Sequence, residues 1–112
     1  MAESLLYLDQ GYVATANASG VATITIGPTG IQQWLVHQIN IELVTASPSG
    51  TVCKWRKSGG AAGAVVPDTD SIGGDPPVML RPGEVITIQW TGLTVGQVAK
   101  AMAFYDIVPW GS

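Results

Sequence analysis

Charge is scarce in this chain. Asp, Glu, Lys and Arg make up 12% of its 112 residues, about half the share usual in a soluble domain. Residues 1–53 contain no Lys or Arg at all, and the chain carries 5 basic against 8 acidic residues, for a net charge of −3. That balance argues against a dedicated nucleic-acid binder. There is one cysteine, Cys53, so an internal disulfide is excluded and nothing requires an oxidising compartment. No apolar run reaches the length of a membrane helix, and the N-terminus lacks a basic segment leading into an apolar one. Neither a membrane span nor a signal peptide is expected.

What the chain does have is apolar material, 46% of residues with a mean hydropathy of +0.30. This is enough for one modest core, so residues 1–112 are read as a single domain. So little charge on a free surface points either to a partner covering part of it or to solvation by small polar Thr, Ser and Gln.

The periodicity is that of strands. Thr, Val and Ile alternate in VATITI (21–26), and Leu35, His37, Ile39, Ile41 and Leu43 fall on one parity of WLVHQINIELV (34–44). Cys53 and Trp55 share a parity in TVCKWRK, as do Ile86, Ile88 and Trp90 in EVITIQW. Period-two alternation is what a strand with one buried face shows. Turn residues punctuate these runs. Pro82-Gly83 suits the centre of a type II turn, because proline presets φ and glycine accepts a positive one. The segment VGQVAKAMAFY (95–105) also fits helical spacing, but its all-β context favours strand. Residues 58–77, rich in Gly, Ala and Pro, read as a long crossing loop. The fold class is all-β, an antiparallel β-sandwich of jelly-roll-like form, with Ile24, Ile26, Leu35, Ile39, Ile41, Ile86 and Ile88 in the core.

ITIGPTGI (24–31) and ITIQWTGL (86–93) nearly repeat one another. An internal duplication would place them at equivalent positions in two halves of a sandwich. The flanking residues do not extend the match, so two independent solutions of one strand-and-turn problem are the better account.

No catalytic constellation can be assembled. His37 is the only histidine and sits on an apolar parity without an evident nucleophile or orienting carboxylate. Cys53 shares a face with Trp55 and reads as a small buried residue. Asp68-Thr69-Asp70-Ser71-Ile72-Gly73 imitates the opening of a calcium loop, but Ile72 and Met79 stand where further oxygen ligands belong. Asp68, Asp70 and Asp75 therefore read as loop residues. No enzyme activity, metal or cofactor is expected. Lys54 and Arg56, with Lys57, form the one basic cluster. It suits either the guarding of an edge strand or docking against an acidic neighbour. Of the four tryptophans, Trp55 and Trp90 lie on apolar parities and Trp34 on the opposite one, while Trp110 follows Pro109 at the end.

VATITIGP, a Trp-bearing strand with a basic stretch, and DPPVMLRPGEVITIQWTGLTVGQVAKA (75–101) together resemble small β-sandwich virion proteins of tailed bacteriophages, particularly those of Actinobacteria. The resemblance covers most of residues 20–105 and implies a non-enzymatic head or tail component, oligomeric and in contact with other virion proteins. It implies localisation in the phage particle after synthesis in the host cytoplasm, and it carries over no catalytic residue. The expected function is thus a virion component that decorates or stabilises capsid or tail; the alternative is a glycan-binding module, with a host-surface glycan as ligand. The candidate contact residues are Trp110, Trp34, Lys54, Arg56, Leu5 and Leu6, with Trp110 folding back as a lid as the competing account. Nucleic acid and membrane are not expected partners.

Overall fold

The computed structural model describes residues 5–108, with side chains from residue 8 onward apart from Asp75. Eight strands follow in order: β1 (Leu5–Thr15), β2 (Ala22–Ile26), β3 (Gln33–Leu43), β4 (Val52–Lys57), β5 (Gly63–Val65), β6 (Thr69–Leu80), β7 (Ile86–Thr91) and β8 (Val98–Val108). They form two antiparallel four-stranded sheets, ordered β1-β8-β3-β6 and β2-β7-β4-β5. That strand order is a jelly roll, the all-β sandwich expected from the alternation. Residues 98–108 are strand rather than helix. Val98 and Lys100 alternate with buried Ala99, Ala101 and Ala103, a period of two that helical propensity does not override.

The near-repeat has a simple structural meaning. The two ITI triplets are partners across the β2–β7 ladder: Ile24 faces Ile88, Thr25 faces Thr87 and Ile26 faces Ile86. All four isoleucines are buried. Matching triplets thus place Ile beside Ile on the core face and Thr beside Thr on the other. The triplets pair directly instead of occupying equivalent places in two halves.

Two expectations are corrected. First, residues 58–77 are not one crossing loop, because β5 and most of β6 lie within them. β6 pairs with β3 in two pieces. Gly73 opposes Gln38 and Val78 opposes Val36, so residues 74–77 form an insertion opposite His37. Gly and Pro at the insertion masked the flanking strand pattern. Second, Leu35 is not a core residue. On the β8 side, Val36 pairs with Tyr105 and Gln38 with Phe104, leaving His37 as an extra residue in β3. Such a bulge reverses side-chain parity. Before it Trp34 and Val36 point inward; after it Ile39, Ile41 and Leu43 do. The other six expected core residues are buried.

The core lies between the sheets. β8, near the centre of its sheet, presents Ala99, Ala101 and Ala103 inward, and small side chains there leave room for Trp90 and the isoleucines. Trp90 donates its Nε1–H to the Pro67 carbonyl at 3.0 Å, which satisfies a polar atom in an otherwise apolar interior. At the β6–β7 corner, Glu84 N–H donates to the Arg81 carbonyl at 2.9 Å and Gly83 has φ +85°, as the type II reading requires. Gly20 is needed for a different reason. Its φ is +74°, and a Cβ there would collide with the Leu93 carbonyl oxygen.

Candidate interaction surface

Strand register sets which side chains stand side by side on the outer face of the β1-β8-β3-β6 sheet. One row runs Val13, Lys100, Glu42, Thr69; the next runs Gly11, Met102, Asn40, Ser71. These rows line a trough of about 610 Å³. Its apolar floor is Val13, 66% exposed, and Met102, 39% exposed, with Gly11 adding no side chain between them. Asn40, Ser71 and Thr69 supply amide and hydroxyl groups along β3 and β6. Gln38, one row further on, donates to the Asn40 side-chain carbonyl, which orients both amides. Lys100 and Glu42 stand opposite one another on β8 and β3, one charge of each sign in the middle of the face. The ion pairs among the described residues lie elsewhere, at His37–Asp106 and Lys57–Glu84.

At the far end of the same sheet the bulge brings His37 Nε2 to 2.8 Å from Asp106 Oδ2, with Asp106 buried. No orienting carboxylate for His37 is legible in the sequence, because Asp106 lies 69 residues away. Only the β3–β8 pairing brings the two together.

The expected contact residues are scattered. Trp34 is buried, against the expectation of exposure, because the bulge fixes its parity. Its ring stacks on Tyr105 with centroids 3.9 Å apart and planes at 15°, and its Nε1–H donates to Gln32 Oε1 at 3.1 Å. It therefore offers no ring for sugar stacking. Lys54 and Arg56 are exposed on β4, in the other sheet, beside half-buried Trp55. Trp55 lies flat against β5: a Cβ at Gly63 would come within 2.9 Å of its indole nitrogen. Leu5 and Leu6 fall in β1, but their side chains, like all of Trp110, lie outside the described part. Of the expected contact residues that are described, Trp34, Lys54 and Arg56, none lines the trough.

The remaining candidates take structural places. Burial, with a smaller contribution from Asp70, pushes the Cys53 thiol up to about 12, so it is not a thiolate nucleophile at neutral pH. Asp70 accepts backbone N–H groups from Val66 and Ser71, each at 2.7 Å, and these bonds hold its carboxyl below the usual range. Asp68 accepts the Ser47 N–H at 2.9 Å and the Ser47 hydroxyl at 3.0 Å. Both carboxylates thus tie strand ends together. Nothing in the local sequence marks Gln97. Buried between two turns, it donates to the Thr45 and Ala46 carbonyls and accepts the Thr94 N–H.

Comparison with known proteins adds little. No family model and no curated protein matches the chain. Among solved structures, the crystal structure of FlhE is similar over 96% of this chain and 100% of that one, with a TM-score of 0.49 and 10% identity. The expected role as a phage virion component is corrected accordingly. The similar structure is FlhE and not a virion protein, and Pro-Gly corners between alternating strands are common to unrelated β-sandwiches.

Proposed function

We propose that this domain is a non-catalytic module that binds another protein through the outer face of the β1-β8-β3-β6 sheet. The trough carries the reading. An apolar floor of Val13, Gly11 and Met102 lies beside a strip of amides and hydroxyls and a single Lys–Glu couple. A polypeptide surface meets such a face with apolar side chains over the floor and backbone or side-chain hydrogen bonds along β3 and β6. Among the described residues a sugar ligand finds support only in the polar strip, since Trp34 and Trp90 are buried and Trp55 belongs to the other sheet.

A photo-crosslinking residue at Asn40 is expected to capture a protein partner in cells, whereas the same residue at Thr25, exposed on the opposite sheet, captures none. Met102→Glu should abolish the Asn40 crosslink while leaving the melting temperature within a few degrees. Equal capture from both sheets, or capture that survives Met102→Glu, would end this reading.

A further inference from the structure

A sandwich of two open sheets has four edge strands, here β1, β6, β2 and β5. Edges are liabilities because their unpaired backbone groups template further pairing, and proteins blunt them with short strands, prolines, lysines or bulges. Three edges here are blunted. β5 has 3 residues. β2 has 5 and runs into Gly27-Pro28. β6 is split by the insertion at residues 74–77, which contains Pro76 and Pro77. β1 is different. From Leu8 to Thr15 it pairs with β8 in unbroken register, without proline or lysine, and Asp9 is its one charge there.

The direction of its free hydrogen-bonding groups follows from a bond on the next strand. The Val98 carbonyl accepts from Val44 N–H at 3.0 Å, so the backbone groups of Val98 point toward β3 and away from β1. Thr15, opposite Val98, therefore turns its N–H and C=O outward. By alternation so do Val13, Gly11 and Asp9. Consistently, Ala16 N–H points the other way, to the Gln97 carbonyl at 2.8 Å. Beneath this ladder, Leu8, Tyr12 and Ala14 pack against the core but remain half-exposed, as they would if a further strand belonged beside them.

We infer that β1 is a strand-addition site and that its occupant is β1 of a second copy of this chain, paired antiparallel across a two-fold axis. A strand paired with itself in this way is isologous, each residue's contact being made twice. The strand suits that arrangement. With the axis at Gly11 or Tyr12, the single charge Asp9 meets Val13 or Thr15 of the other copy, and no like charges face. One open edge per molecule also closes the assembly at two copies, joining two four-stranded sheets into a continuous sheet of eight. This inference rests on backbone direction and does not depend on the trough.

The test uses Val13→Pro. Because the Val13 N–H points away from β8, proline there leaves the internal ladder intact while blocking the outer one. Sedimentation across a concentration series should show a wild-type dimer. In Val13→Pro the dimer should weaken about ten-fold or more, with circular dichroism and melting retained. Val13→Lys, which keeps the N–H but adds an edge charge, should also weaken it. Hydrogen exchange supplies an independent signature. Amides of Gly11, Val13 and Thr15 should gain protection as concentration rises, while those of Gln10, Tyr12 and Ala14 stay protected throughout. A wild type that is monomeric at every concentration overturns the inference. So does a dimer that both variants leave intact, or one in which the three outward amides exchange freely. Protection of those amides only on adding a different protein would assign the edge to that protein's strand instead.

Discussion

Trp34 and Leu35 show how much hangs on one residue. Simple alternation from Ile39 backward puts Leu35 inside and Trp34 outside, and the extra residue His37 reverses the assignment. The consequence is measurable. Trp34→Ala removes a buried ring stacked on Tyr105 and should cost about 3–5 kcal/mol in urea unfolding. Leu35→Ala, at a half-buried position on the outer side, should cost markedly less. Comparable losses at the two positions would mean that β3 has no bulge. Nothing in the local sequence marks His37 as the extra residue. Its carboxylate partner and the insertion opposite it both come from distant parts of the chain.

At the scale of elements, the β2–β7 ladder shows the reverse case, in which sequence and structure agree closely. Both ITI triplets were legible as strands with isoleucines inward, and their identity reflects direct pairing. Ile24 and Ile88 should therefore be energetically coupled. A double-mutant cycle of Ile24→Ala and Ile88→Ala is expected to give about 0.5–1 kcal/mol of interaction energy, as directly opposed cross-strand pairs do. Additivity within experimental error would indicate a different register. β6 was the element least legible in advance. Its ladder resumes on either side of Gly74–Pro77 because β3 continues beside it, and an interruption of that composition reads as loop in isolation.

For the whole molecule, stability is tied to alkaline pH most strongly by two of the described groups, with burial raising the Tyr105 hydroxyl in the same direction. Burial, and secondarily Tyr105, pushes the Tyr12 hydroxyl from its ordinary 10.0 up to about 12. The Cys53 thiol rises from 9.0 to about 12. In both, the folded state holds its proton longer than the unfolded state does. The stabilisation is fully present below the unfolded values and is lost as pH rises through the window up to about 12. Melting temperature should therefore begin to fall near pH 9 from Cys53 and more steeply from pH 10 as Tyr12 joins. Cys53→Ala should remove the first component and Tyr12→Phe most of the second, the remainder belonging to Tyr105. Variant profiles that run parallel to wild type across pH 9–12 would show that neither group is linked to unfolding.

The sequence by itself determined the all-β class, the alternation that buries one face of β2, β4 and β7, the type II corner at Pro82-Gly83, and the outward placement of Lys54 and Arg56. Each of these depends on neighbours within a few residues, through side-chain period or backbone dihedral preference. Only the tertiary structure decided the parity of Trp34, the pairing of His37 with Asp106, and the trough, because each requires strands far apart in the chain to lie side by side. The trough shows this most plainly. Gly11, Asn40, Ser71 and Met102 carry no recognisable motif, and they form a surface only because β1, β8, β3 and β6 align them side by side in one row.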